Sequence, residues 1–424
     1  MNSELNAKSE LQPSFPGYSM KERDRRWALA RKLMDDEGLD GLLVTGQANR
    51  GAPNVAPDVY LSNDRAGGWV VFPREGEPIL LSWSGLHLIC QAVESKRGMT
   101  PWIRPDHHWL GRDAAMVKKA FEANGLMSAR VGVIGLEPAG PRQESFLSHS
   151  AWESVSAELP NVKFVHVWRR LARMMLVKSQ EEIEVIRHCA NAGEKMSEAF
   201  VAAARPGMTE ADVYAQAMAA AFTGGANSAA LIIQSGPDNP SWGFPDWLVR
   251  PVRSRTLDRG DLVQSELFPT YGLMETQQQV CVSLGKMHPV HQKAAEVARE
   301  AYDVGLEKMR VGTTFGEVDD AMTDVVKRAG GWFVTPQIHS LNPISVLSGL
   351  STFGMENFSG AGSYAPIPPK AARNKEIVLQ AGMTFAMEPN CHFGDRRINI
   401  GGTVLVTQSG PVEMNTIANH VVEV

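Results

Sequence analysis

Cysteine is scarce in this chain. Four occur in 424 residues, Cys90, Cys189, Cys281 and Cys391, and about a hundred residues separate each from the next. That spacing is neither a disulfide framework nor a paired CxxC zinc motif. It points to a reducing compartment, and a cytoplasmic location is expected. Long apolar runs are also missing. No uninterrupted stretch approaches the roughly 18 apolar residues of a membrane span. Residues 1–19 are polar and carry no apolar core, so a flexible arm is expected there rather than a signal peptide. Blocks of basic residues are absent as well. Lys and Arg total 42 against 47 Asp and Glu, a net charge of −5, so no nucleic-acid partner is expected.

The hydrophobic share is 43% and the charged share 21%, an ordinary globular balance. The length is too great for one core, so two domains are expected. After the arm, a helix is predicted over residues 21–37, with Leu29, Leu33 and Met34 on one face. The runs Gly41-Leu-Leu-Val-Thr45, Gly68-Trp-Val-Val-Phe72 and Pro78-Ile-Leu-Leu-Ser82 are short, apolar and bounded by Gly or Pro. They read as buried strands. A helix near residues 112–124 and a strand at 130–135 continue the alternation, which defines an α/β layer domain over residues 20–176.

A second domain is expected over residues 177–424. Its opening, Ser179-Gln-Glu-Glu182, is a capping box: the Ser hydroxyl and the Glu three residues later satisfy free amides at a helix start. The segment beyond repeats itself. Arg205-Pro-Gly-Met-Thr209 with Val213 recurs as Arg310-Val-Gly-Thr-Thr314 with Val318. A long helix precedes each copy, and a Thr-capped helix follows. A strand then runs to a polar point, through residues 231–235 in one copy and 333–339 in the other. Each copy next reaches a strand opened by Gly. Gly260 leads six residues on to Glu266, and Gly382 leads six residues on to Glu388. The shared order argues for a duplicated helix–helix–strand–strand unit. A pseudo-twofold between the copies would bring Glu266 and Glu388 towards one centre.

The segments Lys178-Ser-Gln-Glu-Glu-Ile183, Arg205-Pro-Gly-Met-Thr209, Glu266-Leu-Phe-Pro-Thr-Tyr-Gly272 and Gly382-Met-Thr-Phe-Ala-Met-Glu-Pro389 resemble the pita-bread fold. That fold is shared by methionine aminopeptidase, prolidase, aminopeptidase P and creatinase. The resemblance covers about residues 20–424. It implies a creatinase/prolidase-type amino-terminal α/β domain before a pita-bread domain with an internal pseudo-twofold, so the fold class is α/β (α+β). The scaffold hosts several chemistries.

Peptidase members hold two metal ions with two Asp, one His and two Glu. Carried over one at a time, the first Asp falls at Glu266 and the second at Gln277. The His falls at His339, the first Glu at Glu388 and the last Glu at Gly401. Two bound ions bring about four positive charges and need bridging carboxylates. This set supplies too few, so no metal and no other cofactor is expected; a single ion on Glu266, His339 and Glu388 is the alternative. Creatinase works without metal, and the likeness to it rests on three places: His339 followed by Ser, Glu388 followed by Pro, and Asp64-Arg65 with Val70-Val71. The last resembles the loop whose Arg grips a substrate carboxylate in the neighbouring subunit, which implies a homodimer. Asp238 falls where creatinase has its catalytic His, and a substrate-binding Glu of creatinase falls near Gln278.

The expected catalytic residues are therefore Glu388, His339 and Glu266. A carboxylate among apolar residues is costly to bury without a partner, and a buried pair splits into an acid and a base. The bland alternative pairs these glutamates with Arg396 or Arg397. Arg65, Gln277, Gln278, Asp238 and Tyr271 are the expected substrate-binding residues, for a small molecule. Alternation puts Gln277 and Gln279 on one strand face and Gln278 on the other, and at least one of the three is expected to bind substrate or order Glu266, the alternative being a polar strand edge. Trp242, Phe244, Trp247, Tyr271, Phe353, Phe358 and Tyr364 are candidates for the site's mouth or for core, and residues 340–370 for a lid. The leading expectation is metal-independent hydrolysis of a C–N bond in a small carboxylate-bearing molecule. A metal-independent lyase, a non-catalytic binding module and a metallopeptidase are the other readings.

Overall fold

The computed structural model describes residues 15–46, 56–137, 146–239, 243–366 and 368–424. Trp242 and most of the expected arm lie outside the described residues. Phe15 and Tyr18, at the arm's end, are packed rather than loose. Phe15 stacks edge-on against His188, and the Tyr18 hydroxyl donates to the Gly272 carbonyl at 2.6 Å.

The amino-terminal layer holds the strands β1 (Gly41–Thr45), β2 (Trp69–Pro73), β3 (Ile79–Ser82), β4 (His108–Leu110), β5 (Arg130–Ile134) and β6 (Lys163–His166). They form one sheet in the order β4-β3-β2-β1-β5-β6. β1 pairs antiparallel with β2 and parallel with β5. Every residue of β1, β2 and β3 is buried. These unbroken apolar runs suit a sheet covered on both faces. The Met20–Glu37 helix packs Trp27, Leu33 and Met34 into that core.

The carboxy-terminal part bears out the duplicated unit. The first copy has helices Gln180–Ala203 and Glu210–Thr223, then β7 (Asn227–Gly236) and β8 (Leu262–Tyr271). The second has helices Pro289–Lys308 and Phe315–Arg328, then β11 (Ile338–Leu341) and β12 (Thr384–Met387). Between the copies run β9 (Met274–Glu275) and β10 (Gln278–Ser283). After them come β13 (Asn390–Phe393), β14 (Arg396–Asn399), β15 (Gly402–Thr407), β16 (Gly410–Glu413) and β17 (Val421–Glu423). One sheet runs β17-β10-β8-β7 with β9 beside β8, a second runs β11-β12-β15-β16, and β13 pairs with β14. Each copy buries its own apolar set. Phe200, Val213, Leu231 and Val263 belong to the first, and Tyr302, Phe315, Phe333 and Phe385 to the second. One expectation fails in detail. The strand foreseen over residues 333–339 begins only at Ile338, because Pro336 has no N–H to give a ladder.

The two second helices start in the same way. Thr209 and Thr314 each cap their helix by a reciprocal pair with Asp212 and Glu317. The capped backbone amides donate back to those carboxylates at 2.8 Å in both copies. Replacing Thr314 by Ala removes one cap, so a loss of about 1 kcal/mol is expected. Urea unfolding of Thr314→Ala and Thr209→Ala checks it, and the two losses should agree.

Candidate active site

Two hairpins and one strand end build the centre. In the first hairpin, β8 turns back through Gly272 and Leu273, both in the left-handed region at φ 53° and 72°. A two-residue turn of that kind matches the twist of the strands it joins. It also fixes the register. Tyr271 pairs with Met274 and Thr270 with Glu275, then Leu267 pairs with Gln278 and Glu266 with Gln279. The residue facing Glu266 is therefore Gln279. Gln277, which the resemblance puts at the position of the second metal Asp, lies two residues short of it. Its side chain donates instead to Glu275 Oε1 at 2.9 Å.

Gln279 is fully buried, and its amide nitrogen lies between two carboxylates. It donates to Glu266 Oε1 at 3.2 Å and to Glu388 Oε2 at 3.3 Å. Glu388 follows β12, and its backbone N–H donates to the Gln337 carbonyl at 2.9 Å. His339 sits on β11 opposite Ala386 of β12, which carries its ring to Glu388. His339 Nε2 lies 3.4 Å from Glu388 Oε1, and Nδ1 lies 2.9 Å from the Ser340 carbonyl. A carbonyl only accepts, so the proton is assigned to Nδ1. The Nε2–carboxylate contact then needs one more proton, on the ring or on Glu388. The pair is therefore placed to share a proton. Glu266, His339 and Glu388 are all buried; the sequence placed these three together, and the structure does too.

A buried arginine follows on the next hairpin. β13 and β14 form a tight hairpin in which Arg397 faces His392. Alternation turns Arg396 outwards and Arg397 inwards. Arg396 pairs with Asp238 at 2.6 Å, whereas Arg397 is 0% exposed. Burial lowers the Arg397 pKa to about 10, against the opposing pull of Glu388 and Glu266. Its Nη2 donates to Thr335 Oγ1 at 3.2 Å. Sequence reasoning named Arg397 only as the partner in a bland alternative and did not single out Gln279 as a site residue. It also passed over Glu275, a third buried carboxylate. Burial raises Glu275 to about 7; the Gln277 hydrogen bond opposes that shift, and Glu266 adds to it.

The expected substrate contacts separate. Gln278 turns to the opposite face, where its amide donates to Thr276 Oγ1 and Asn415 Oδ1, because neighbouring strand residues alternate. Asp238 is exposed and held by Arg396. Tyr271 stacks on His188 at 4.7 Å and on Phe15 at 6.1 Å, at the turn end of β8. Arg65 meets Glu94 at 2.5 Å and Asp64 at 3.4 Å. Among the described residues its ionic partners are these two and not the buried cluster. Of the described aromatics expected at the mouth or in the core, Phe244, Phe353 and Tyr364 are exposed and Trp247, Tyr271 and Phe358 are partly buried, so none of them is core.

Gly401 occupies a seam. Its carbonyl accepts from the Gln279 N–H at 2.9 Å, and its N–H donates to Ala418. Its φ is +125°, and a Cβ there would lie 1.9 Å from the Met387 carbonyl oxygen. No side chain fits. Gly401→Glu is expected to cost more than about 2 kcal/mol from the strained backbone alone, before the clash is counted. A thermal melt showing a wild-type midpoint would contradict this.

The fold and the acid–base cluster define a pita-bread protein with its centre between two related halves. The model of metallopeptidase family M24 matches residues 184–408, more than half of the chain, and the chain belongs to that family. A probable dipeptidase PepE of Mycobacterium tuberculosis is 26% identical over 415 residues, 94% of this chain and 96% of its own length. A creatinase of Bacillus sp. is 22% identical over 397 residues, 91% of this chain and 87% of its own. Among solved structures, dipeptidase PepE from Mycobacterium ulcerans superposes with a TM-score of 0.69 at 24% identity, covering 96% of this chain and 100% of its own.

The family's description implies metal, so the donors must be tested against it. Two divalent ions need several anionic bridges. Here the carboxylates are Glu266 and Glu388, with Glu275 engaged by the Gln277 amide at 2.9 Å; Gln279 offers a neutral amide and Gly401 offers nothing. Among the described residues, no group of three or more His, Cys, Asp or Glu is arranged to hold a metal ion. The residues do not fit a dinuclear centre. Among the described residues, no helix is long and apolar enough to cross a membrane.

Proposed function

We propose that this chain is a hydrolase that cleaves a C–N bond of a small carboxylate-bearing molecule by acid–base catalysis without a metal ion. The observation that carries the reading is the 3.4 Å contact of His339 Nε2 with Glu388 Oε1, tied through Gln279 to Glu266. In this scheme a water oxygen attacks the carbon, its proton passes to the Glu388–His339 pair, and the C–N bond breaks as that proton reaches the leaving nitrogen. General acid–base action of this kind is worth about 10²- to 10⁴-fold. Family membership and the dipeptidase-named relative favour an amide in a dipeptide-like molecule; the creatinase relative favours an amidino C–N bond. In a homodimer, the Arg65 loop of one subunit would meet the substrate carboxylate in the other.

The test is a mass-balanced screen. Purified protein is incubated with dipeptides and with small amidino and guanidino acids, with and without a strong chelator. Products that together gain one water, at equal rate in both arms, support the reading. Fragments summing to the substrate mass would make the protein a lyase. Activity abolished by the chelator and restored by added metal would make it a metallopeptidase.

A further inference from the structure

We propose that a cleft lined by Arg169, Arg173 and Arg373 binds a phosphate dianion, free or carried by a small molecule, at a site separate from the acid–base cluster. The cleft has a volume of about 440 Å³, and Val346 and Asn374 complete its lining. That is room for a small ligand, whose sites span roughly 300–1,000 Å³. Its walls come from distant parts of the chain. Arg169 and Arg173 lie one turn apart on the Trp168–Met174 helix, so their side chains leave the same face. Val346, Arg373 and Asn374 belong to the long connection between β11 and β12. Asn374 joins the two walls and fixes one of the arginines. Its Oδ1 accepts from Arg173, and its Nδ2 donates to the Val346 carbonyl at 2.5 Å.

The charges at this cleft do not cancel. Two like charges one turn apart on a helix repel, and a third, on Arg373, lines the same cleft. Glu137 meets Arg169 at 3.5 Å. Arg173 is held by a neutral amide, and among the described residues neither it nor Arg373 has an acidic partner. Their neighbours in sequence do find acids: Arg170 pairs with Glu37 and Lys375 with Asp320. A chain with a net charge of −5 thus leaves the charges of Arg173 and Arg373 unbalanced in one cleft. A phosphate dianion answers both the charge and the shape. It carries close to two negative charges near pH 7 and, as a monoester, has three terminal oxygens. That is one oxygen for each guanidinium, whose planar fork matches such a group. A dicarboxylate brings the charge but divides it between two separated groups. The site's position has a consequence as well. Arg373 pairs through its backbone with Ser348, and Ser348 also pairs with His339. The Arg373 N–H donates to the Ser348 carbonyl at 2.7 Å. An occupant would tie the Trp168–Met174 helix to the ladder that reaches His339.

The experiment measures binding and needs no turnover. Full-length wild type, Arg173→Gln, Arg373→Gln and the control Arg170→Gln are checked by circular dichroism. Each is then titrated calorimetrically at physiological salt with ribose 5-phosphate, inorganic phosphate and succinate. Wild type should bind at least one of the two phosphates at a single site with a Kd of about 1 mM or tighter, and its thermal midpoint should rise with that ligand. Arg173→Gln and Arg373→Gln should each weaken binding by about tenfold or more, the scale of one charge-assisted hydrogen bond. Arg170→Gln removes a charge from the same helix, one that Glu37 already balances, and should leave binding unchanged. Tighter binding of ribose 5-phosphate identifies an ester as the occupant, and tighter binding of inorganic phosphate identifies the free ion; either supports the proposal. No saturable binding of either phosphate overturns it. So does succinate binding as tightly as the phosphates, or an equal loss in Arg170→Gln, which would mean diffuse attraction rather than a site. If Arg173→Gln does not fold, Arg373→Gln decides alone. Because no hydrolysis is measured, this result and the functional reading stand or fall separately.

Discussion

Glu388→Gln is expected to lower turnover by about a thousandfold, within the range general acid–base groups supply. The substitution keeps the shape of the side chain and removes its ability to take a proton. His339 Nε2 loses its carboxylate at 3.4 Å, so the extra proton of that pair has nowhere to rest. The fold should survive, because glutamine can still present a carbonyl oxygen to the Gln279 amide, which now donates to Oε2 at 3.3 Å. Initial rates on the substrate found by the screen measure the loss, with circular dichroism and a thermal melt as controls. Turnover within about tenfold of wild type would remove Glu388 from the chemistry, since that is below what a general acid or base contributes.

A second large effect is expected far from the centre. Arg26, on the Met20–Glu37 helix, is completely buried. It pairs with Glu22 at 2.7 Å and with Glu182 at 3.2 Å. Its guanidinium lies 4.1 Å from the Tyr18 ring centre and 4.3 Å from that of Tyr60. Glu182 is also the N3 partner of Ser179 in the capping box that opens the Gln180–Ala203 helix. One side chain therefore ties the amino-terminal helix to the first helix of the duplicated unit. Removing one partner of a buried ion pair leaves the other charged and stranded, at a cost of about 3–5 kcal/mol. Arg26→Ala should show that loss in the first transition of a denaturant titration. A change under about 1 kcal/mol, the usual worth of an exposed pair, would mean that the network is not coupled.

Much of this was legible in the sequence, for physical reasons. The duplicated unit showed itself because its punctuation is chemically specific: an Arg-x-Gly stop leads to a Thr N-cap in both copies, and a Gly stands six residues before a Glu in both. Glu266, Glu388 and His339 stood out because charged or titratable groups in apolar strands need partners. One of the three glutamines at 277–279 was expected to bind substrate or order Glu266, but Gln279 was not picked from the run because positions were carried over from relatives by spacing. The local signal was present. A two-residue turn at Gly272-Leu273 forces position 266 to face position 279, and counting outwards from the turn would have found it. Arg397 was harder to read. In a tandem pair, alternation says that one side chain turns in, but which one depends on the hairpin that pairs it with His392. Gln278, Tyr271 and Asp238 were named from position along the chain, and each proved to face a different neighbour.

The seam at Gly401 also ties two positions together. The carbonyl oxygen that a Cβ at 401 would strike belongs to Met387, the residue directly before Glu388. A carboxylate built at 401 would have to push on the very backbone that carries Glu388, so gaining one acidic donor would displace the other. On this backbone the two are alternatives, and a second acid for the centre would have to enter from another strand.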